Sequence, residues 1–341
     1  FRFKKYKKVV IIGMGGSILG ANAIYSFLKK KIKKEFLFLN NIDETKLEFI
    51  KKKKDLNKTL FLIISKSGNT IETLSNLFAL KVVKKKAKNI IIISEKSNNF
   101  LYSYAKKMNI YHIEHKNYIG GRFSVFSETG IVPALLMGLD INKFKANTLN
   151  CFKQKNKSFL KNSSINMTNL LNTGKIKNLI FVNYLPELNE FFYWCQQLIA
   201  ESLGKKNKGF LPFVSSAPRD HHSLLQLYLD GPSDKIFNIF SLRSKKKKNI
   251  INLSDNNFNF LKGKALNEIK RAQKNALIQS LKKNKIPFRE IEISEINEDT
   301  LGELFSYFML ETAIIGKLLN INPFDQPAVE EVKITTKKLL T

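Results

Sequence analysis

The segment Val9-Val10-Ile11-Ile12-Gly13-Met14-Gly15-Gly16-Ser17-Ile18-Leu19-Gly20 runs from an apolar stretch through a glycine-rich turn into a helical pattern. Four successive Val and Ile residues without polar alternation read as a strand covered on both faces, the condition of a parallel sheet. The glycines let backbone approach a ligand, and the Ser17 hydroxyl can donate to it. Read alone, the loop is equally a tight strand-to-helix turn. Ile18 stands where G-x-G-x-x-G needs its third glycine, so this is no dinucleotide fingerprint. No G-x-x-x-x-G-K-[ST] occurs anywhere, which excludes a P-loop.

Working outward, further strand-length apolar runs lie at 36–39, 60–64 and 90–93, with a short one near 111–113. Helical stretches at 17–30 and 70–84 separate them, which is the rhythm of a doubly wound α/β domain. From 143 to 173 the chain turns polar and rich in Asn, Lys and Ser, with weak helical periodicity and no strand. Strands return at 179–182, 236–240 and 288–293, with helices at 187–203, 265–282 and 301–319 and a last one from Ala328. The expected organisation is a first α/β domain over 1–142, a helical connection over 143–173, and a second α/β domain with a helical tail over 174–341.

The 341 residues provide length for about two domains. A 43% hydrophobic content excludes a disordered chain. No apolar stretch approaches the ~18 residues of a membrane span, so a soluble protein is expected, without membrane association. Cys151 and Cys195 make neither a disulfide framework nor a zinc site by themselves. The net charge of +30 comes mostly from lysine, since only six of the 58 basic residues are arginine. Lysine runs at 51–54 and 245–248 lack the arginine forks and interleaved aromatics that nucleic-acid readers use. Lys, Asn, Ile and Phe all have A/T-rich codons, so the charge reads as genome bias on solvated faces, with no nucleic-acid partner expected. A basic surface still favours encounter with anionic small molecules. The chain opens on Phe1 and reaches a strand almost at once, which reads as an incomplete or trimmed reading frame.

The third strand runs into Ser65-Lys66-Ser67-Gly68-Asn69-Thr70-Ile71-Glu72-Thr73. Hydroxyls and one lysine gather where a helix begins, and unpaired N–H groups there make an anion site. A phosphate monoester fits this chemistry. The same residues also serve N-capping, with Ser67 or Asn69 as cap and Glu72 supporting the first turn.

These two loops, in order, resemble the SIS-fold sugar isomerases, and further blocks resemble the glucose-6-phosphate isomerase family. The blocks are Gly120-Gly121-Arg122-Phe123-Ser124-Val125, then Gln197 with Glu201-Ser202-Leu203-Gly204-Lys205, then Asp220-His221-His222-Ser223, then Asn322-Pro323-Phe324-Asp325-Gln326-Pro327. With the 65–73 loop they stand in family order between about Val9 and Lys333. The resemblance implies two SIS-type doubly wound αβα sandwich domains with mainly parallel sheets. It also implies interconversion of glucose 6-phosphate and fructose 6-phosphate through ring opening and a cis-enediol(ate), in glycolysis and gluconeogenesis, without metal or organic cofactor.

By the same resemblance Glu201 is the proton-transfer base and Arg122 the enediolate stabiliser. His222 assists ring opening, and Lys333, seven residues after Gln326, supports it. Gly16, Ser17, Ser65, Lys66, Ser67, Thr70, Glu72, Gly121, Gln197 and Gln326 are implied in substrate binding. Gln197 lies one helical turn before Glu201, on the same face. His221 stands where the family often has glutamine, which leaves open which histidine acts. Ala328 replaces a usual glycine, and Glu331-Val332-Lys333 a usual x-Gly-Lys. A cytoplasmic homodimer with a shared site is implied, the acting histidine coming from the second subunit.

Two other readings differ in what they predict. A dual-specificity phosphoglucose/phosphomannose isomerase shares an S-x-S-G-N-T loop, close to Ser67-Gly68-Asn69-Thr70, and would turn over mannose 6-phosphate. A non-catalytic SIS sugar-phosphate sensor needs the phosphate loops but has no use for Glu201, His222 and Lys333 together.

Overall fold

The computed structural model describes residues 2–53, 55–243, 249–252 and 256–341; Lys54 and the lysine run at 245–248 lie outside the described residues. Strands β1 (Lys8–Gly13), β2 (Glu35–Leu39), β3 (Thr59–Ile64), β4 (Ile90–Ser94) and β5 (Tyr111–Glu114) form a parallel sheet in the order β2-β1-β3-β4-β5. A second parallel sheet, in the order β7-β6-β8-β9, is built from β6 (Asn178–Asn183), β7 (Leu211–Ser216), β8 (Lys235–Leu242) and β9 (Phe288–Ile293). Val10 of β1 stands between Leu37 of β2 and Phe61 of β3.

Uninterrupted apolar runs make sense once both faces of each sheet are traced. One core takes Val9, Ile11, Leu60, Leu62 and Ile64 from the first sheet and Leu179, Phe181, Ile236 and Phe240 from the second. The alternate residues Val10, Ile12, Phe61 and Ile63 fill a core on the far side of the first sheet. Ile180, Val182, Phe237 and Ile239 do the same beyond the second. The shared layer is filled by the helices Leu19–Leu28, Asn189–Leu203 and Glu298–Leu318. At its centre the fully buried Trp194 meets Phe305 edge-on, ring centroids 4.6 Å apart. Burying each such side chain is worth roughly 1.5–3 kcal/mol.

The second sheet has four strands where the sequence pattern predicts three. The additional one, β7, reads Leu-Pro-Phe-Val-Ser-Ser, and it lies at the sheet edge. An edge tolerates Pro212, and Leu211 and Phe213 point outward instead of extending an apolar run. The polar stretch at 143–173 is helical, covered by Ile141–Ala146 and Gln154–Asn172. Among the described residues the buried lysines are Lys235 and Lys274, and Arg122 is buried too, so most of the other basic side chains reach solvent at least in part. No described helix is long and apolar enough to cross a membrane.

In each sheet the winding reverses beside the first strand, between β1 and β3 and between β6 and β8. Ligands of open α/β sheets gather at the carboxyl ends of strands at such points.

Candidate active site

The β1 and β3 loops meet at the first of these switch points. After β1 the chain makes a single 3₁₀ turn, Gly15–Ser17, before the helix Leu19–Leu28. A Cβ on Gly16 would lie 2.1 Å from the carbonyl carbon of Gly121 and 2.5 Å from the backbone nitrogen of Arg122. The β1 loop and the turn Gly121–Phe126, which follows β5, therefore touch backbone to backbone, and only glycine fits. The buried Ser124 hydroxyl braces this contact, 2.6 Å from the carbonyl oxygen of Gly121 and 3.3 Å from that of Gly16.

After β3, the buried Ser65 Oγ lies 2.9 Å from Thr70 Oγ1, with Ser67 Oγ 3.5 Å from the same atom. The helix Ile71–Leu80 starts at Thr70, and no side chain caps it. The predicted cap is therefore not made. Asn69 Oδ1 instead accepts the backbone N–H of Phe100 at 2.9 Å. A helix start without a side-chain acceptor suits an anion. Lys66 Nζ donates to the carbonyl oxygen of Asn117 at 2.8 Å.

A cavity of about 620 Å³ opens between these loops. Gly16, Ser17, Lys66, Ser67, Thr70, Glu72, Gly121, Arg122, Gln197, Glu201, Gln326 and Lys333 all line it. Ser65 lies just beneath the lining, held by Thr70. His222 is not among the lining residues and is exposed, following the turn Arg219–His221. Its neighbour His221 is half-buried, with Nε2 2.8 Å from the hydroxyl of Tyr184. Burial, then the proximity of His222, lowers the pKa of His221 from its ordinary value. A larger cavity, about 890 Å³, lies beside the second sheet, but none of the implied site residues reaches it.

Glu201 comes from the last turn of the helix Asn189–Leu203. Its Oε1 accepts from Gln197 Nε2 at 2.9 Å and its Oε2 from Arg122 at 3.1 Å, with the side chain 27% exposed. Arg122 is almost fully buried and commits every donor it has. Its Nε donates to Ser202 Oγ at 2.8 Å, and one terminal nitrogen serves Glu201 and Gln326 Oε1, the latter at 2.6 Å. The other terminal nitrogen donates to the carbonyl oxygens of Pro323 at 2.6 Å and Asp325 at 2.9 Å. Burial lowers the pKa of the guanidinium, opposed by the charges of Glu201 and Asp325. Asp325 is held below the usual carboxylate range, first by the hydrogen bond from Lys205.

Lys333 reaches the rim from the helix Glu330–Leu339, paired with Glu330 at 2.6 Å and well exposed. Sequence reasoning missed Ser202, although it sits inside the Glu201 block, and Lys337, which lines the cavity one turn after Lys333. The i, i+4 spacing on a helix was the available signal for Lys337.

Comparison with known proteins agrees with the fold and sharpens it. A hypothetical protein of Thermus thermophilus superposes with a TM-score of 0.90 at 25% identity, over 100% of this chain and 86% of its own. A glucose-6-phosphate isomerase of Chlamydia trachomatis superposes with a TM-score of 0.80 at 21% identity, over 98% of this chain and 70% of its own. By fold the protein stands with the SIS-type phosphosugar isomerases. A probable glucose-6-phosphate isomerase of Methanococcus maripaludis is 37% identical over 99% of this chain and 80% of its own length. The glucose-6-phosphate isomerase of Methanocaldococcus jannaschii is 36% identical over 96% and 83%. The family profile for phosphoglucose isomerase matches residues 1–341, and the chain belongs to that family of aldose–ketose isomerases, with its place in glycolysis.

Proposed function

We propose that this protein interconverts glucose 6-phosphate and fructose 6-phosphate through a cis-enediolate, with Glu201 as the base. One observation carries the reading: a carboxylate fixed by Gln197 and Arg122 opens into the same cavity as two hydroxyl-bearing loops at a sheet switch point. The phosphate binds at the uncapped start of the helix Ile71–Leu80, among Ser17, Ser65, Lys66, Ser67 and Thr70. Gly16 and Gly121 let the ligand approach backbone, and Glu72, Gln197 and Gln326 orient the sugar.

From the open-chain aldose, Glu201 takes the C2 proton. The C–H electron pair forms the C1–C2 double bond, and the carbonyl pair moves onto O1. A proton then passes from O2 to O1, C2 becomes the carbonyl, and Glu201 returns its proton to C1. The Arg122 guanidinium, itself almost fully buried, stabilises the enediolate charge. His222 and Lys333 serve ring opening, with His222 supplied by the second subunit of a homodimer, since within one chain it stands outside the cavity. The 1–142, 143–173 and 174–341 division describes the two α/β halves and their connection, and the site draws on both.

The test is a coupled assay of glucose 6-phosphate formation from fructose 6-phosphate with Glu201→Gln. Loss of at least ~10²-fold in kcat with KM roughly kept is expected. A variant as fast as wild type would overturn the assignment. Co-expressing Glu201→Gln with His222→Asn tests the shared site, because half of random dimers then hold one intact site of two, giving about a quarter of full activity. No recovery above the single variants refutes the sharing.

A further inference from the structure

The Glu201 helix ends in a turn that folds back on itself. Lys206 and Asn207 take left-handed backbone, at φ 52° and 58°, and Gly209 has φ +120°. A Cβ on Gly209 would lie 2.9 Å from the Cα of Gly204, so the turn closes only with glycine there. This geometry carries the Lys205 side chain away from solvent, to 15% exposure.

The Lys205 ammonium donates to the carbonyl oxygen of Asn322 at 2.5 Å, to that of Asp325 at 2.6 Å, and to Asp325 Oδ1 at 2.6 Å. Three donors meet three acceptors, which saturates the group. All three belong to the segment 322–326, the segment that presents two carbonyl oxygens and Gln326 to Arg122. The Asp325 carbonyl oxygen is shared, accepting from both cations. Apolar anchoring of this segment is sparse. Pro323 is buried, and the exposed Phe324 touches Phe123 with ring centroids 5.2 Å apart. The remaining fixings are polar, and Lys205 supplies three of them.

We infer that Lys205 is a positioning residue for the isomerase reaction, holding the segment 322–326 so that it orients the Arg122 guanidinium against Glu201. The inference rests on the roles proposed for Arg122 and Glu201. Lys205 does not line the cavity and acts through the shared carbonyl. Its neighbour Lys206 is the natural control, being exposed and donating one bond to the carbonyl oxygen of Asn320 at 3.1 Å.

The experiment measures kcat and KM for fructose 6-phosphate on the full chain carrying Lys205→Met, Lys205→Arg, Lys206→Met, Arg122→Gln, or Lys205→Met with Arg122→Gln. Misplacing a catalytic group by about 1 Å is worth up to ~10²-fold, so Lys205→Met is expected to lower kcat at least tenfold. KM should change less than about threefold, because the phosphate loops are untouched. Lys205→Arg should recover much of the loss, and Lys206→Met should match wild type. In the Arg122→Gln background, Lys205→Met should add less than about a twofold loss, since both changes act on one group. Wild-type kcat in Lys205→Met, a change in KM alone, or fully multiplicative losses in the double variant would each overturn the inference. Should Lys205→Met fail to fold, Asp325→Asn weakens one of the three anchors and is expected to lower kcat by a smaller factor; an unchanged kcat there refutes the inference too. Arg122→Gln with wild-type kcat would remove the Arg122 role itself. A crippled Arg122→Gln beside an unaffected Lys205→Met sinks only the positioning role.

Discussion

Replacing Arg122 by lysine keeps the charge and removes the fork. Arg122 spreads five N–H donors over Ser202, Glu201, Gln326 and the carbonyl oxygens of Pro323 and Asp325. A lysine offers three donors from one point and cannot span from the Glu201 helix to the 322–326 segment. At least two acceptors lose their partner around a group that is 3% exposed. At ~1.5–3 kcal/mol per charge-assisted bond the dry loss would be ~3–6 kcal/mol. Glu201 is 27% exposed and Asp325 is open to solvent, so water replaces part of this. A loss of ~2–4 kcal/mol remains after that screening. With an unfolding entropy of ~2.1 cal/mol/K per residue, the melting temperature should fall by ~3–6 °C. Activity should fall further, by ~10²-fold in kcat, because the positive charge no longer faces Glu201. Scanning calorimetry and the coupled assay on Arg122→Lys check both figures. A melting temperature within about 1 °C of wild type together with kcat within about threefold would refute the account of Arg122 given above.

Two further predictions concern the loop contact and the histidine pair. Gly16→Ala forces a methyl group against the Gly121 backbone, where neither chain can yield, so stability should drop by ~1–3 kcal/mol and KM for fructose 6-phosphate should rise; a variant with unchanged melting temperature and KM contradicts the backbone contact. His221 has a folded-state pKa below its ordinary value through burial. The unfolded chain therefore binds more protons as pH falls below ~6.5, and stability should decline through that range until the folded ring also protonates. Melting temperatures measured from neutral to acidic pH should fall less steeply in His221→Gln than in wild type, and parallel curves would show that His221 is not the group responsible.

What the sequence reveals about this fold depends on whether a residue's environment is written locally. The strands β1, β3, β4, β6 and β8 are apolar because both faces are covered, and that pattern is readable residue by residue. β7 escapes because an edge strand carrying Pro212 and outward Leu211 and Phe213 has no such run. The helix cap at 67–69 was predicted from residue type, yet Asn69 is drawn off by Phe100, a partner distant in sequence. The implied site residues were legible as ordered blocks, and most of them line one cavity. The grip on Arg122 was not legible, since two of its acceptors are backbone carbonyls of Pro323 and Asp325, which any residue supplies.

The two halves of the chain contribute unequally to what must stay rigid. The helix Leu19–Leu28 leaves the glycine loop and packs on the helix Asn189–Leu203, which carries Glu201. Polar ties seal the same seam: Asn22 bonds Glu190, and Lys30 pairs with Glu187 at 3.0 Å. The core behind them runs unbroken from Val9 to Phe305. The β1 loop and the base are thus fixed to one continuous apolar layer, although about 180 residues of chain separate them, and such layers resist deformation. The outer wall is made differently. The segment 322–326 is held chiefly by hydrogen bonds to Lys205 and Arg122, and the helix Glu330–Leu339 buries none of its residues. Proton transfer between C2 and C1 requires a carboxylate whose position relative to the bound phosphate does not vary, and that relation is the one held by packing. Ring opening and product exchange require a wall that can rearrange, and the part free to do so is the helix Glu330–Leu339, which carries Lys333 and buries none of its residues.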